Sequence, residues 1–94
     1  MSDIKVQQMP TFKKAYKKLP PSHQLLVDNA IKDIVKNPLI GDQKRGDLSG
    51  IYVYKFKIYT QEFLLAYEWN TLERLLLALG VHENFYRNFK NKQF

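Results

Sequence analysis

Apolar positions change period three times along the chain. Ile4-Lys5-Val6-Gln7 alternates in the manner of a short strand, and Pro10, which has no amide proton to give a sheet ladder, stops it. From Thr11 the spacing becomes helical: Phe12, Ala15, Tyr16 and Leu19 share one face, Lys13, Lys14, Lys17 and Lys18 occupy the other, and Pro20-Pro21 closes the helix. Ser22 is read as the N-cap of a second helix, with Leu26, Val27, Ala30, Ile31, Ile34 and Val35 inward and Asn37 before Pro38 at its end. Two helices joined by a Pro-Pro turn predict a helical hairpin. Leu39 to Gly50 turns polar and is expected to be a loop.

Three strands are predicted next, Ile51 to Tyr59, Glu62 to Trp69 and Arg74 to Leu79, with connections short enough for antiparallel hairpins. After Gly80 the helical period returns: Phe85 and Phe89 lie on one side, and His82, Tyr86 and Lys90 follow at four-residue steps, with Glu83 one turn from Arg87. The expected class is α+β: a small, mostly antiparallel sheet of about four strands with an N-terminal helical hairpin and a C-terminal helix. Ninety-four residues, 45% of them hydrophobic, supply one core, so residues 1–94 are read as a single domain.

Charge adds a partner class to this outline. Fifteen Lys and Arg against nine Asp and Glu give a formal net charge of +6, which suits a polyanionic partner or, equally, plain solubility. No apolar run approaches the roughly 20 residues of a membrane span, and none follows the N-terminal Met-Ser-Asp-Ile-Lys as a secretion signal would. A cytoplasmic protein without membrane contact is expected. Cysteine is absent and the two histidines are far apart in sequence, so no metal and no cofactor are expected.

Alternation in the first long strand sends Tyr52, Tyr54, Phe56 and Ile58 to one face and Lys55 and Lys57 to the other. Two ammonium groups on one face repel, and either solvent or an anion must occupy the space above them. His82 and Tyr86, just beyond the last strand, are placed to overhang that face. A histidine that exchanges protons near neutral pH, beside lysines that stabilise a phosphorane, suits RNA scission without metal. A cap or packing role is the alternative for His82, and core cover for Tyr86. His23 is read as solvated, and Phe63, Leu65, Tyr67 and Trp69 as core. Glu62, Glu68, Glu73 and Glu83 form no obvious carboxylate pair.

With these residues in place, the sequence resembles the RelE/ParE superfamily of bacterial type II toxins, ParE-like members in particular. The carriers are the basic helix Phe12-Lys13-Lys14-Ala15-Tyr16-Lys17-Lys18-Leu19, the turn Gly46-Asp47-Leu48-Ser49-Gly50 leading into Ile51-Tyr52-Val53-Tyr54-Lys55-Phe56-Lys57, the strand Phe63-Leu64-Leu65-Ala66-Tyr67, and Leu79-Gly80-Val81-His82-Glu83-Asn84-Phe85-Tyr86-Arg87. The resemblance implies growth inhibition, a cognate antitoxin that forms a hetero-oligomer with the toxin, and a target that is either DNA gyrase or the ribosome with its messenger RNA. Lys55 and Lys57 fall where nuclease members carry strand lysines, His82 near their arginine or histidine, and Tyr86 near their C-terminal tyrosine. Leu64 departs from the pattern, because nuclease members commonly hold the scissile phosphate with an arginine there.

Three functions follow as expectations: a toxin acting on gyrase or on translation, a ribosome-dependent messenger RNA endonuclease using His82, Tyr86, Lys55 and Lys57, or a non-toxic basic RNA- or ribosome-binding module. Lys13, Lys14, Lys17, Lys18, Lys44, Arg45, Arg87 and Lys90 are the residues expected to meet the target or a nucleic acid.

Overall fold

Residues 3–46, 49–83 and 85 are described by the computed structural model. Chain order is β1 (Lys5–Gln8), α1 (Pro10–Lys17), α2 (Pro21–Lys36), a 3₁₀ turn (Pro38–Ile40), β2 (Asp42–Gln43), β3 (Tyr52–Ile58), β4 (Gln61–Trp69) and β5 (Glu73–Val81). His82, Glu83 and Phe85 open a further helical turn. Phe89 and the other expected positions of that C-terminal helix beyond residue 85 lie outside the described residues.

The strands form one sheet in the order β1-β5-β4-β3-β2. It has five strands rather than about four, because the segment expected to be a loop contributes the 3₁₀ turn and the two-residue β2. β2, β3, β4 and β5 pair antiparallel, while β1 pairs with β5 in parallel, Lys5 beside Glu73 and Gln8 beside Leu76. The whole chain from α1 through β4 supplies the long connection that parallel pairing requires. Gly80 still belongs to β5, opposite Leu64, so the switch to helix comes at His82.

Both helices begin on proline, whose fixed φ suits the first helical position and whose missing N–H would have had no partner there. Pro20, not Ser22, occupies the cap position of α2, and no side chain caps that end. The opposite end is capped from the sheet. Arg74, buried at 4% exposure, donates from Nε to the Ile34 carbonyl (3.2 Å) and from Nη2 to the Val35 carbonyl (3.0 Å). Its Nη1 donates to the carbonyls of Asn70 (2.7 Å) and Glu73 (3.0 Å). One guanidinium thus serves carbonyls that α2 leaves open at its C-terminus, where the helix dipole also favours a cation.

Two cores lie on the two sides of the sheet. Beneath the hairpin, Phe12, Val27 and Ile34 pack on Ile58, Phe63, Leu65, Tyr67, Leu76 and Leu79. On the other side Ile51, Val53, Leu64, Ala66, Leu77, Ala78 and Phe85 form a second cluster. Tyr67, fully buried, also fastens the polar segment after α2: its Oη donates to the Pro38 carbonyl (2.7 Å) and accepts from the Gly41 amide (3.0 Å). Trp69 is only half-buried, with the Arg74 guanidinium 5.8 Å from its ring centroid. His23 is half-buried too, not solvated, its ring set edgewise at 5.3 Å against Tyr59, which takes the left-handed φ of 56° in the tight β3–β4 turn.

Candidate functional site

The hairpin covers one side of the sheet, and the candidate chemistry sits on the other. Lys55 and Lys57 are exposed there, as alternation with the inward Tyr54, Phe56 and Ile58 requires. Lys55 faces Leu64 on β4, and Leu64 faces Gly80 on β5. That row is not an anion cradle. Leu64 is 2% exposed and belongs to the apolar cluster that holds Phe85, whose ring lies over Gly80 so that a Cβ there would come 3.6 Å from its Cδ1.

One row further along, Lys57 faces Glu62. Phe63 pairs with Val81, so the next residues outward, Glu62 and His82, meet at the strand ends. They line an open groove of about 460 Å³ with Thr60, Gln61, Val81 and Glu83. Glu62 and Glu83, which sequence spacing leaves unconnected, therefore both border the space beside His82. Lys55 and Lys57 are not part of that lining. Two carboxylates and no lysine line the space beside His82, and their charge disfavours a phosphate there. The detectable signal was Glu62 itself, one step before Phe63 and across from Lys57, which places it on the lysine face.

The other expected contact residues do not form one basic surface. Lys13, Lys14 and Lys17 are exposed on α1 and Lys18 at its C-cap, while Phe12, Ala15, Tyr16 and the following Leu19 pack into the core beneath the hairpin. They stand on the far side of the sheet from Lys55 and Lys57. Lys44 is half-buried and its amide donates to the Ile51 carbonyl at 2.8 Å, while Arg45 beside it is exposed. Tyr86, Arg87 and Lys90 lie outside the described residues.

Tyrosines tie α2 to its neighbours. Tyr16 donates to Asp28 Oδ1 at 2.8 Å, and this bond, with burial and the carboxylate's charge, raises the phenol above its ordinary range. Burial, then the bond to Asp33 Oδ2 at 3.1 Å and its charge, raises Tyr54 in the same direction. Asp28 and Asp33, the two acids of α2, are thereby engaged with phenols. Among the described residues no three of His, Asp and Glu gather as metal ligands, and no helix is long and apolar enough to cross a membrane.

A hairpin of helices on one side of an antiparallel sheet edged by a parallel first strand is the architecture of known bacterial toxins. The toxin-antitoxin complex RelBE2 of Mycobacterium tuberculosis matches with a TM-score of 0.70 at 21% identity, covering 85% of this chain and 99% of that one. The intact E. coli RelBE complex matches at 0.65 and 15% identity, over 82% and 94% of the two chains. A YoeB/ParE toxin from Agrobacterium tumefaciens matches at 0.64 and 13%, over 84% and 99%. The fold is thus that of the RelE/ParE toxins. Residues 6–90 match the ParE-like toxins of type II bacterial toxin-antitoxin systems, and the chain belongs to that family. Among curated proteins none matches the sequence.

Proposed function

We propose that this toxin arrests bacterial growth by binding its target, DNA gyrase, and not by cutting RNA, and that a cognate antitoxin neutralises it in a hetero-oligomeric complex in the cytoplasm. The carrying observation is Leu64: where a nuclease of this fold would place a cation against the scissile phosphate, a buried leucine packs in the cluster of Phe85. A leucine offers no charge-assisted hydrogen bond to a developing phosphorane. Glu62 and Glu83 beside His82 weigh the same way. The complexes of RelE-fold toxins with their antitoxins support the antitoxin partner, and a net charge of +6 favours an acidic segment in it.

The competing nuclease reading draws on Lys55, Lys57 and His82 sharing one side of the sheet, with Tyr86 as a further candidate. Purified toxin is tested against gyrase in a supercoiling assay and, in parallel, against end-labelled messenger RNA on programmed ribosomes. Loss of supercoiling with no new RNA ends is the expected result. Ribosome-dependent ends that vanish in His82→Ala overturn the proposal in favour of the endonuclease. A chain that leaves growth normal on controlled expression is the non-toxic binding module instead.

A further inference from the structure

The sheet separates Lys13, Lys14, Lys17 and Lys18 from Lys55 and Lys57, and the group at α1 has features that the other lacks. Lys13, Lys14, Lys17 and the C-cap Lys18, whose backbone keeps the helical conformation, form two adjacent i, i+4 pairs on one exposed face. No carboxylate among the described residues pairs with any of them, and α1 carries no acid in its first turn. Asp28, the acid that touches α1, accepts from the Tyr16 hydroxyl instead. None of the exposed large hydrophobic residues of the described chain lies on α1.

We propose that this face, across the sheet from Lys55 and Lys57, is a docking surface for the phosphate backbone of a nucleic-acid duplex. The inference rests on the fold and holds whichever target the toxin has. Four charges spread over nearly one and a half helical turns, about 7.5 Å along the axis, face a duplex that carries one phosphate per roughly 1.7 Å of its own axis. About four phosphates therefore fall within the span of four ammonium groups. The composition of the face selects among polyanions. A protein partner wants an apolar centre, and interfaces between proteins are depleted in lysine. Single strands are held by stacking on exposed aromatic rings, and α1 shows none. Backbone binding needs only hydrated point charges on flexible stems, which is what lysine provides.

The test is the salt dependence of binding, by fluorescence anisotropy, of the purified chain to a short DNA duplex of arbitrary sequence and to poly-glutamate. Neutralising about four phosphates makes log K fall with log salt at a slope near −3.6, about 150-fold between 50 and 200 mM. The K13Q/K14Q/K17Q/K18Q variant is expected to lose about three units of that slope, K55Q/K57Q to keep it, and K13R/K14R/K17R/K18R to restore binding. Circular dichroism checks that α1 persists, glutamine being a good helix former. The proposal is overturned if the fourfold glutamine variant keeps the wild-type slope, if K55Q/K57Q loses as much, or if poly-glutamate binds more tightly than the duplex.

Discussion

Glu62 stands directly across the β3–β4 ladder from Lys57 and borders the groove that His82 enters. A lysine that would steer a phosphate toward His82 thus has a carboxylate interposed. If this groove cut RNA, E62Q would remove the repulsion and speed cleavage. The binding mechanism gives a different outcome: wild type, E62Q and His82→Ala all leave end-labelled messenger RNA intact on programmed ribosomes. Their growth arrest on controlled expression stays within about twofold.

Arg74 joins the last strand to the end of α2 and is a stability residue. R74M leaves the Ile34 and Val35 carbonyls without their donor and is expected to cost about 3 kcal/mol, the price of buried polar groups left unpaired. R74K does little better, since an ammonium cannot span four acceptors in a planar fork. Urea unfolding reads both as a lower midpoint with unchanged slope.

Gly41 and Tyr67 form a lock between the polar segment and β4. A Cβ at position 41 would lie 2.7 Å from the Tyr67 hydroxyl oxygen and 3.1 Å from the Val53 carbonyl carbon. The hydroxyl is held by two hydrogen bonds and cannot retreat cheaply. G41A is expected to destabilise by about 1–3 kcal/mol through overpacking, and Y67F by about 1–3 kcal/mol through the lost bonds. Because phenylalanine also removes the obstructing oxygen, the double variant should cost less than the sum, and a double-mutant cycle measures the difference.

Alkaline stability follows from the phenols. Tyr16 and Tyr54 are raised in the folded protein, so folding favours their protonated forms. Their contribution is complete below the unfolded tyrosine value of about 10 and is lost as the pH climbs through the higher folded values. Y16F/Y54F is expected to be less stable at neutral pH and to lose less of its remaining stability above pH 10. Tyr67, raised chiefly by burial, retains its own share of the alkaline fall in that variant. Denaturation midpoints from pH 7 to 11 provide the check.

Where a segment is long enough to show its own period, sequence and structure agree. The lysine-backed α1, the inward row of α2 and the tyrosine alternation of β3 each repeat their pattern several times before any tertiary contact is needed. β2 has two residues and no period to detect. The parallel seating of β1 against β5 also escapes, because all four β1 residues are exposed and neither face is marked as inner. Ser22 loses the cap position because prolines fix the turn before it. Arg74 reads as the polar start of a strand, since the α2 carbonyls it serves lie some forty residues away. The largest revision concerns charge: a sequence sums its lysines, while the sheet divides them between two sides.

The pairing of β1 with β5 also sets when the sheet can close during synthesis. Lys5 is made roughly seventy residues before its partner Glu73. At about 5–20 residues per second, the first strand waits several seconds for the neighbour that will hold it. During that interval the hairpin can form locally, but the sheet on which both basic surfaces are mounted lacks its second-to-last strand in spatial order. A ribosome still translating this message therefore carries an incomplete toxin, and a bacterium making it is exposed to the finished fold only after β5 has emerged.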